Sequence, residues 1–322
     1  MHWKELKALL LSIGSARLSG EPAARYISRS AAGPGAGGGG SIFFAVGKRR
    51  VRLGLDSSSP VSIRHLGDGR AEMTVGGESI TGQLEPVALH CPRQAYITVT
   101  GSCIYRCRYC EVPEIGGKRK SIGEIVALVE SVIDRVDSIS ITSGVLSTPE
   151  EEEKYVLEVI RELGRFGIPI GVSIYPTEKT PENLARLGVD EVKFNIEAAT
   201  ESLFSEMCPG LDYTLMWDVL ERSVGLFSPN HVFSNVIVGL GETDGEMEAC
   251  IRRLCGMGVI PVLRPLNPAA RLSEFERPSP ERLLKLYEIQ KNALLLAGLD
   301  PSQARSMCVA CSGCDLVPWR DE

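Results

Sequence analysis

The sequence lacks three features that would place it in a common class of protein. No uninterrupted apolar run reaches the roughly 18 residues that a membrane-spanning helix needs, so we expect no membrane association. The apolar segment at residues 6–13 is short and follows Lys4 and Glu5, which predicts an amphipathic helix and not an export signal. Acidic residues outnumber basic ones by 41 to 35, and the net charge of -6 argues against a nucleic-acid partner.

A common phosphate-binding loop is also missing. Residues 33–41 read Gly-Pro-Gly-Ala-Gly-Gly-Gly-Gly-Ser, but the run lacks the Gly-Lys-Ser/Thr ending of a P-loop and follows no clear strand. We interpret it as a flexible connector, with a phosphate cradle or a loop that closes over an active site as alternatives.

Cysteine, in contrast, is plentiful. The chain has ten cysteines, and without an export signal we expect reduced thiols and not disulfides. Six of the ten fall into two tight triplets, while Cys208, Cys250 and Cys255 have no metal-like spacing and are interpreted as core residues. A cytoplasmic, oxygen-sensitive protein is the expectation that follows.

The first triplet is Cys103, Cys107 and Cys110, spaced C-x3-C-x2-C with Tyr109 before the last cysteine. Three thiolates can hold three irons of a [4Fe-4S] cluster and leave the fourth iron open to a substrate or cofactor. Electron-transfer clusters are usually closed by four cysteines. The alternatives are a zinc knuckle, which would want a fourth nearby cysteine or histidine, and three core cysteines.

The sequence predicts two different patterns of secondary structure, one after the other along the chain. Short β-like segments separated by glycine-rich turns predict a small antiparallel sheet over residues 42–46, 51–55, 61–65 and 71–75. From residue 95 onward apolar strands alternate with helices that start at Ser121, Thr148, Thr180 and Ser279, which predicts an α/β fold with a parallel sheet. The predicted strands are 95–100, 138–142, 168–174, 191–196, 234–238 and 259–263. We expect three parts: a β-rich N-terminal domain (1–92), a core (93–270) and a C-terminal cluster-binding tail (271–322).

The first triplet and its context resemble the signature of the radical SAM superfamily. The resemblance implies a partial (β/α)6 TIM-like barrel, with the triplet after the first strand at the catalytic rim. It also implies that the open iron binds S-adenosylmethionine (SAM), whose reductive cleavage gives a 5′-deoxyadenosyl radical that abstracts hydrogen from a substrate.

The same resemblance nominates polar residues at strand ends as SAM contacts. Thr142, Ser143 and Gly144 stand where many members carry Gly-Gly-Glu, although a simple turn would look the same. Asn195 and Glu197 share one face of a strand and could hold a ribose or form a structural pair. The remaining candidates for binding SAM are Tyr109, Ser173 and Arg264, the last with a surface ion pair as its alternative.

The second triplet, Cys308, Cys311 and Cys314, starts like a ferredoxin motif, but Pro318 stands at the position of the fourth cysteine. We predict a second iron–sulfur cluster. Cys91 is the first choice for its fourth ligand, and Ser312, Asp315 or a substrate are the others. A zinc ion completed by Cys91 or His90 is the alternative.

Three segments are similar to lipoyl synthase: residues 141–143 (Ile-Thr-Ser), 195–197 (Asn-Ile-Glu) and 238–243 (Val-Gly-Leu-Gly-Glu-Thr). The similarity implies sulfur insertion, as in lipoyl and biotin synthases, into a small-molecule or acylated-protein substrate. The implied partners are a reductant such as ferredoxin or flavodoxin and a second radical SAM enzyme. The alternatives are a radical methylase or cofactor-biosynthesis enzyme, with the second cluster relaying electrons or anchoring substrate, and a non-catalytic electron carrier.

Overall fold

The computed structural model of the protein describes residues 1–29, 40–268 and 270–322. Most of the glycine-rich run lies outside these ranges, so its interpretation as a connector stays a prediction. The chain begins with helix α1, Trp3–Ile13, where the amphipathic pattern predicts a helix. Gly14 ends this helix in the left-handed conformation (φ 77°), which favours glycine.

Six short strands then form a closed barrel. The strands are β1 (Ser15–Gly20), β2 (Ser41–Val46), β3 (Arg49–Leu55), β4 (Ser62–His65), β5 (Arg70–Val75) and β6 (Glu78–Leu84). Their order around the barrel is β1-β3-β2-β6-β5-β4. Buried apolar residues on alternating positions, such as Leu53, Ile63 and Met73, supply its core.

The predicted strands of this part pair antiparallel, β2 with β3 and β4 with β5. The sheet as a whole is a mixed, closed barrel that was not predicted, because β1 pairs in parallel with β3 and β4, and β6 pairs antiparallel with β2 and β5. The sequence did not indicate β1, because Ala16 is its only buried residue. It did not indicate β6 either, which is mostly polar and contains Gly82. An added Cβ at Gly82 would lie 2.5 Å from the Ala45 carbonyl oxygen, so the glycine allows β6 to approach β2.

A second sheet has six parallel strands that neighbour each other in chain order. They are β7 (Gln94–Thr98), β8 (Ser138–Thr142), β9 (Ile170–Ser173), β10 (Glu191–Lys193), β11 (Val232–Val238) and β12 (Ile260–Pro265). All five strand pairs are parallel. The predicted α/β class is therefore confirmed, and every predicted strand of this part has its counterpart.

Helices connect these strands and cover the sheet. They are α2 (Val112–Ile115), α3 (Ile122–Glu130), α4 (Pro149–Leu163), α5 (Thr180–Arg186), α6 (Glu201–Met207), α7 (Tyr213–Val224) and α8 (Asp244–Met257). Ser121 and Thr148 cap α3 and α4 as predicted, each accepting a hydrogen bond from the backbone N–H three residues on. In the described parts of the chain, no helix is long and apolar enough to cross a membrane.

The predicted cap at Thr180 is wrong, because this hydroxyl serves a buried carboxylate. Thr180 Oγ1 donates to Glu153 Oε2 at 2.5 Å, and Lys179 takes the capping position of α5. Glu153 is only 4% exposed and also accepts from Thr177 Oγ1 at 2.7 Å and Asn183 Nδ2 at 2.7 Å. A buried carboxylate needs such donors, and this need overrides the local capping preference.

The C-terminal part contains a long helix and a short one. Helix α9, Pro280–Ala297, starts at its predicted cap Ser279 and ends at Gly298 (φ 67°). Helix α10, Met307–Cys311, carries two cysteines of the second triplet. The division of the chain into three domains at residues 92 and 270 stays a prediction.

Candidate functional site

The first cysteine triplet lies on the loop that follows β7. Cys103, Cys107 and Cys110 are partly buried free thiols. The loop is attached to the end of β8, because Ile104 N donates to Val145 O at 2.8 Å and Val145 N lies 3.4 Å from Cys103 Sγ. The triplet thus stands at the carboxyl ends of the parallel strands, where active sites of such sheets lie.

Gly144 permits this close attachment. A Cβ at this position would lie 2.1 Å from the Ser102 carbonyl oxygen and 3.1 Å from Cys103 Cβ. Gly144 N also donates to Thr100 O at 2.9 Å. The glycine predicted as a SAM contact therefore has a demonstrable role in seating the cysteine loop, and its contact with SAM stays a prediction.

A buried carboxylate, Glu152 on α4, ties the same loop to the sheet. Glu152 is 2% exposed and accepts from Thr100 Oγ1 and Ser143 Oγ, both at 2.7 Å. Arg119 neutralises its charge through a short ion pair. Ser143 in turn accepts from Thr100 N at 3.0 Å, so this hydroxyl is engaged within the protein, and its predicted SAM contact is untested. Sequence analysis missed Glu152, because nothing distinguishes it from the other glutamates of residues 150–153.

The three thiols differ in acidity. Burial raises the pKa of Cys103 and raises the pKa of Cys110 to about 12. The pKa of Cys107 is lowered, because its sulfur receives a hydrogen bond from the buried Cys208. Tyr109 Oη lies 3.5 Å from Cys208 Sγ as well. Cys103 and Cys110 are thus protonated at neutral pH without metal, and metal binding would release their protons.

Polar side chains form a row across three strand ends. Thr98, Thr142 and Ser173 are register partners on β7, β8 and β9. Thr98 Oγ1 is buried and has no hydrogen-bond partner among the described residues. A ligand oxygen or nitrogen at this rim would satisfy that hydroxyl, which fits the nomination of Thr142 and Ser173 as SAM contacts.

Glu197 occupies the neighbouring strand end in a strained conformation. Its φ is 53°, which a non-glycine residue rarely adopts. A hydrogen bond that Ile237 N donates to Glu197 O at 2.7 Å holds the backbone in this conformation. Burial raises its pKa to about 7, against the opposing effects of Lys193 and of hydrogen bonds with Tyr109 and Asn195. The predicted pair Asn195–Glu197 is therefore in contact, beside the first triplet.

The second triplet comes together with Cys91, as the sequence analysis proposed. Cys91 and Cys311 are buried and hydrogen-bonded to each other, which lowers the pKa of Cys311 to about 7 and raises that of Cys91. Phe43 and Tyr96 pack around them. The loop of the second triplet packs closely against the small barrel, since a Cβ on Gly313 would lie 2.6 Å from the ring of Phe43 on β2.

The tail that carries this triplet packs on the inner face of the large sheet. Met307 N donates to Ser140 Oγ at 2.9 Å, and Gln94 Nε2 donates to Met307 O at 3.0 Å. Glu191 accepts from Ser306 N at 2.7 Å. Gly171 leaves room for Ser306, because a Cβ at position 171 would lie 2.0 Å from Ser306 Oγ. The tail is therefore packed against the large sheet, through side chains of β7, β8 and β10.

An ion pair with no exposed surface fixes the end of the tail to α1. Lys7 Nζ lies 2.6 Å from Asp321 Oδ2 and donates to Ser312 O at 2.5 Å. Asp321 also accepts from Trp3 Nε1 at 3.0 Å and from Val317 N at 2.8 Å. The carbonyl that Lys7 binds belongs to the loop between Cys311 and Cys314.

The large sheet and the small barrel share one cavity of about 340 Å³. Cys308 and Cys314 of the second triplet line it, and so do Glu197 and Tyr109, the neighbour of Cys110. Residues at the ends of β1 and β3 of the small barrel complete the wall. The sequence predicted two cysteine sites but not a cavity between the large sheet and the small barrel.

Two cations lie at the second triplet. Lys193 Nζ is 3.5 Å from Cys308 Sγ, and Arg264 is 3.9 Å from Asp315 Oδ1. Burial opposes the charge of Arg264, but Cys314, Cys308 and Asp315 together raise its pKa. Arg264 was predicted to pair with SAM, but it lies beside the second triplet. Lys193 was not recognised as a site residue from the sequence.

The donor set of the second site consists of four thiols, those of Cys91, Cys308, Cys311 and Cys314. Thiolates are the ligands of iron–sulfur clusters, so these residues fit the predicted second cluster, and a zinc ion stays the alternative. Across residues 1–29, 40–268 and 270–322, no three His, Cys, Asp or Glu side chains form a group that could hold one metal ion.

Comparison with known proteins supports the same chemistry. Residues 97–254 match the family model of the Radical SAM superfamily. The mitochondrial lipoyl synthase of Drosophila erecta is 26% identical over 222 residues, which are 64% of this chain and 57% of that protein. The lipoyl synthase of Leptospira biflexa serovar Patoc (strain Patoc 1 / Ames) is 26% identical over 178 residues, 51% of this chain and 55% of that protein. The ribosomal protein uS12 methylthiotransferase RimO of Synechococcus sp. is 32% identical over 101 residues, 29% of this chain and 22% of that protein. The chain thus spans less than two thirds of each of these relatives.

Solved structures show a similar fold. The FeFe-hydrogenase maturase HydG from Carboxydothermus hydrogenoformans has a TM-score of 0.52 at 20% identity, over 62% of this chain and 52% of that one. Methylornithine synthase (PylB) has a TM-score of 0.53 at 14% identity, over 65% of this chain and 70% of that one. At these identities the similarity concerns the fold alone.

Proposed function

Because residues 97–254 form a domain of the Radical SAM superfamily, we propose that this radical SAM enzyme inserts sulfur into a carbon–hydrogen bond of its substrate. The observation that carries the proposal is a cavity lined by Cys308 and Cys314 of the second triplet and by Tyr109, the neighbour of Cys110 in the first. The names of the relatives point the same way, since lipoyl synthases and a methylthiotransferase are among them. Both kinds of enzyme attach sulfur to carbon.

The residues have separate tasks in this proposal. Cys103, Cys107 and Cys110 would hold the [4Fe-4S] cluster that binds SAM. Cys308, Cys311 and Cys314, with Cys91, would hold a second cluster. When bound, the first cluster and SAM supply a hydrogen-abstracting radical, and the second cluster supplies sulfide.

The other residues of the chain position and protect these groups. Glu197 and Asn195 accept or donate hydrogen bonds at the rim next to Tyr109, where a ribose or ammonium group of SAM would lie. Lys193 and Arg264 offset the negative charge of ligating thiolates at the second site. The small barrel closes the cavity on the opposite side and keeps water from a reactive intermediate.

The proposed partners follow from this assignment. The substrate is a small molecule or an acylated protein, and a reductant such as ferredoxin or flavodoxin supplies the electron. A second radical SAM enzyme is a further candidate partner. The reduced thiols favour a cytoplasmic location.

Anaerobic reconstitution with iron and sulfide counting tests the proposal. We expect about eight irons per chain, falling to about four in the triple variant Cys308→Ala/Cys311→Ala/Cys314→Ala. Cys255→Ala, a buried cysteine outside both triplets, is the matched control and should retain all irons. SAM and dithionite should release 5′-deoxyadenosine, and turnover with octanoate or with an octanoylated peptide should consume cluster sulfide. Four irons in the intact protein, or product formation with no loss of sulfide, would rule out the proposed sulfur source.

A further inference from the structure

The shared cavity is lined by more cationic than acidic side chains. Four Lys and Arg side chains line it against one carboxylate, that of Glu197. Two of the four, Lys193 and Arg264, lie beside Cys308 and Asp315 and serve the second triplet. The other two are Arg52 and Arg277.

Arg52 and Arg277 are held in place by neutral groups. Arg52 Nε donates to Ser41 Oγ at 2.8 Å. Arg277 donates to the Leu11 carbonyl oxygen at 3.3 Å and to Asn267 Oδ1. Within the three described ranges neither guanidinium has a carboxylate at ion-pair distance. Burial lowers the pKa of Arg277, and the nearby Cys314 opposes this shift.

The backbone is shaped to admit one of these guanidinium groups. Gly14 has a φ of 77°, and a Cβ there would lie 2.2 Å from Arg277 Cζ. Any other residue at position 14 would therefore displace Arg277 from the cavity wall. Asn235 contributes an unsatisfied polar atom to the same cavity, since it is 7% exposed and its Oδ1 has no partner among the described residues.

The rest of the wall is suited to an apolar ligand. Leu11, Leu55, Ile237 and Leu266 line the cavity along with the cations. Guanidinium groups bind carboxylates through paired, charge-assisted hydrogen bonds. A molecule with an apolar chain and one carboxylate matches both features of this wall.

We propose that Arg52 and Arg277 bind the carboxylate of a chain-bearing substrate, so that the small barrel supplies the recognition site for the substrate head group. The inference rests on the proposed function, because it takes the shared cavity as the place where the substrate reacts. It favours a free carboxylic acid over an acylated protein, whose acyl group is a neutral amide.

The test is a calorimetric titration of the anaerobically reconstituted protein, saturated with SAM. Sodium octanoate, octanamide and inorganic phosphate are the probes. Octanoate should bind at least about tenfold more tightly than octanamide, and phosphate should not compete with it. Arg52→Gln and Arg277→Gln should each weaken octanoate binding about tenfold or more, with unchanged iron and sulfide content. Arg70→Gln removes an exposed arginine of β5 and should bind octanoate like the unaltered protein.

Three outcomes would overturn the inference. Equal or absent binding of octanoate and octanamide would show that the cavity does not recognise a carboxylate. Competition between octanoate and SAM would assign the arginines to the cofactor. If Arg52→Gln loses iron or sulfide but still binds octanoate more tightly than octanamide, the two arginines would be assigned to the second cluster. Arg52 makes a side-chain hydrogen bond to Ser41 and lies over the Phe43 ring, and Gln at this position keeps a polar side chain, so this variant decides the matter even if Arg277→Gln does not fold. Release of 5′-deoxyadenosine without added octanoate reports separately on the proposed function.

Discussion

Replacing Lys7 by methionine should destabilise the protein and the second cysteine site together. Lys7 and Asp321 are both fully buried, and their charged atoms are 2.6 Å apart. Removing one partner of such a pair costs about 3–5 kcal/mol, because the other charge stays buried without compensation. Trp3 Nε1 and Val317 N still donate to Asp321, so we expect the lower end, about 3 kcal/mol.

Urea unfolding of the metal-free protein, followed by circular dichroism, measures this free energy. Lys4→Met is the matched control, because the Lys4–Glu288 pair is exposed and should contribute under about 1 kcal/mol. Adding Asp321→Asn to Lys7→Met should recover part of the loss, because it removes the unpaired buried charge while the amide oxygen still accepts from one of the two donors, Trp3 Nε1 or Val317 N. Iron at the second site should fall as well, because Lys7 holds the Ser312 carbonyl. The reasoning is refuted if Lys7→Met costs no more than Lys4→Met, or if the second substitution restores nothing.

Three further predictions concern the site. Gly144→Ala should abolish iron binding at the first triplet, because its Cβ would lie 2.1 Å from Ser102 O. Gly123→Ala is the control and should keep its iron, because a Cβ at that position meets nothing within 4 Å. Iron counting and EPR measure the difference. Cys91→Ala should lose second-site iron while the first cluster still binds SAM, and full iron content would remove Cys91 from the ligand set. The pKa of Glu197 is raised from an ordinary 4.5 to about 7. Between pH 4.5 and pH 7 the folded protein therefore keeps a proton on this carboxyl group that the unfolded chain has released. Stability from this group is therefore present below pH 4.5 and lost as pH rises through 7, by about 3 kcal/mol in total. Glu197→Gln should remove this loss when the free energies of unfolding at pH 5 and pH 8 are compared. An unchanged pH dependence in the variant would contradict this assignment.

The sequence was sufficient for features that depend on local patterns. The apolar strands of the large sheet, the caps Ser121, Thr148 and Ser279, and the two cysteine triplets could all be predicted, because spacing and neighbouring residues determine them. The capping pattern at Thr180 was misleading, since a distant carboxylate, Glu153, takes its hydroxyl.

Features that depend on long-range contacts could not be predicted. β1 is a strand only because β3 and β4 accept it as a parallel partner. The tail enters the sheet through contacts of Met307 with Gln94 and Ser140, more than 160 residues away, as the separations of 213 and 167 residues show. Lys193 and Arg277 look like ordinary charged residues in the sequence, and only the fold brings them to one cavity.

The central claim is that two clusters lie close together, the second at a cavity of about 340 Å³ and the first behind Tyr109, which lines the same cavity. EPR of the fully reduced, reconstituted protein tests this claim most directly. Two neighbouring paramagnetic clusters should couple magnetically and give a broadened spectrum. In the variant Cys308→Ala/Cys311→Ala/Cys314→Ala that spectrum should reduce to the simple signal of one cluster. A spectrum of the intact protein that is the plain sum of two uncoupled signals, or that shows one cluster alone, would contradict the account.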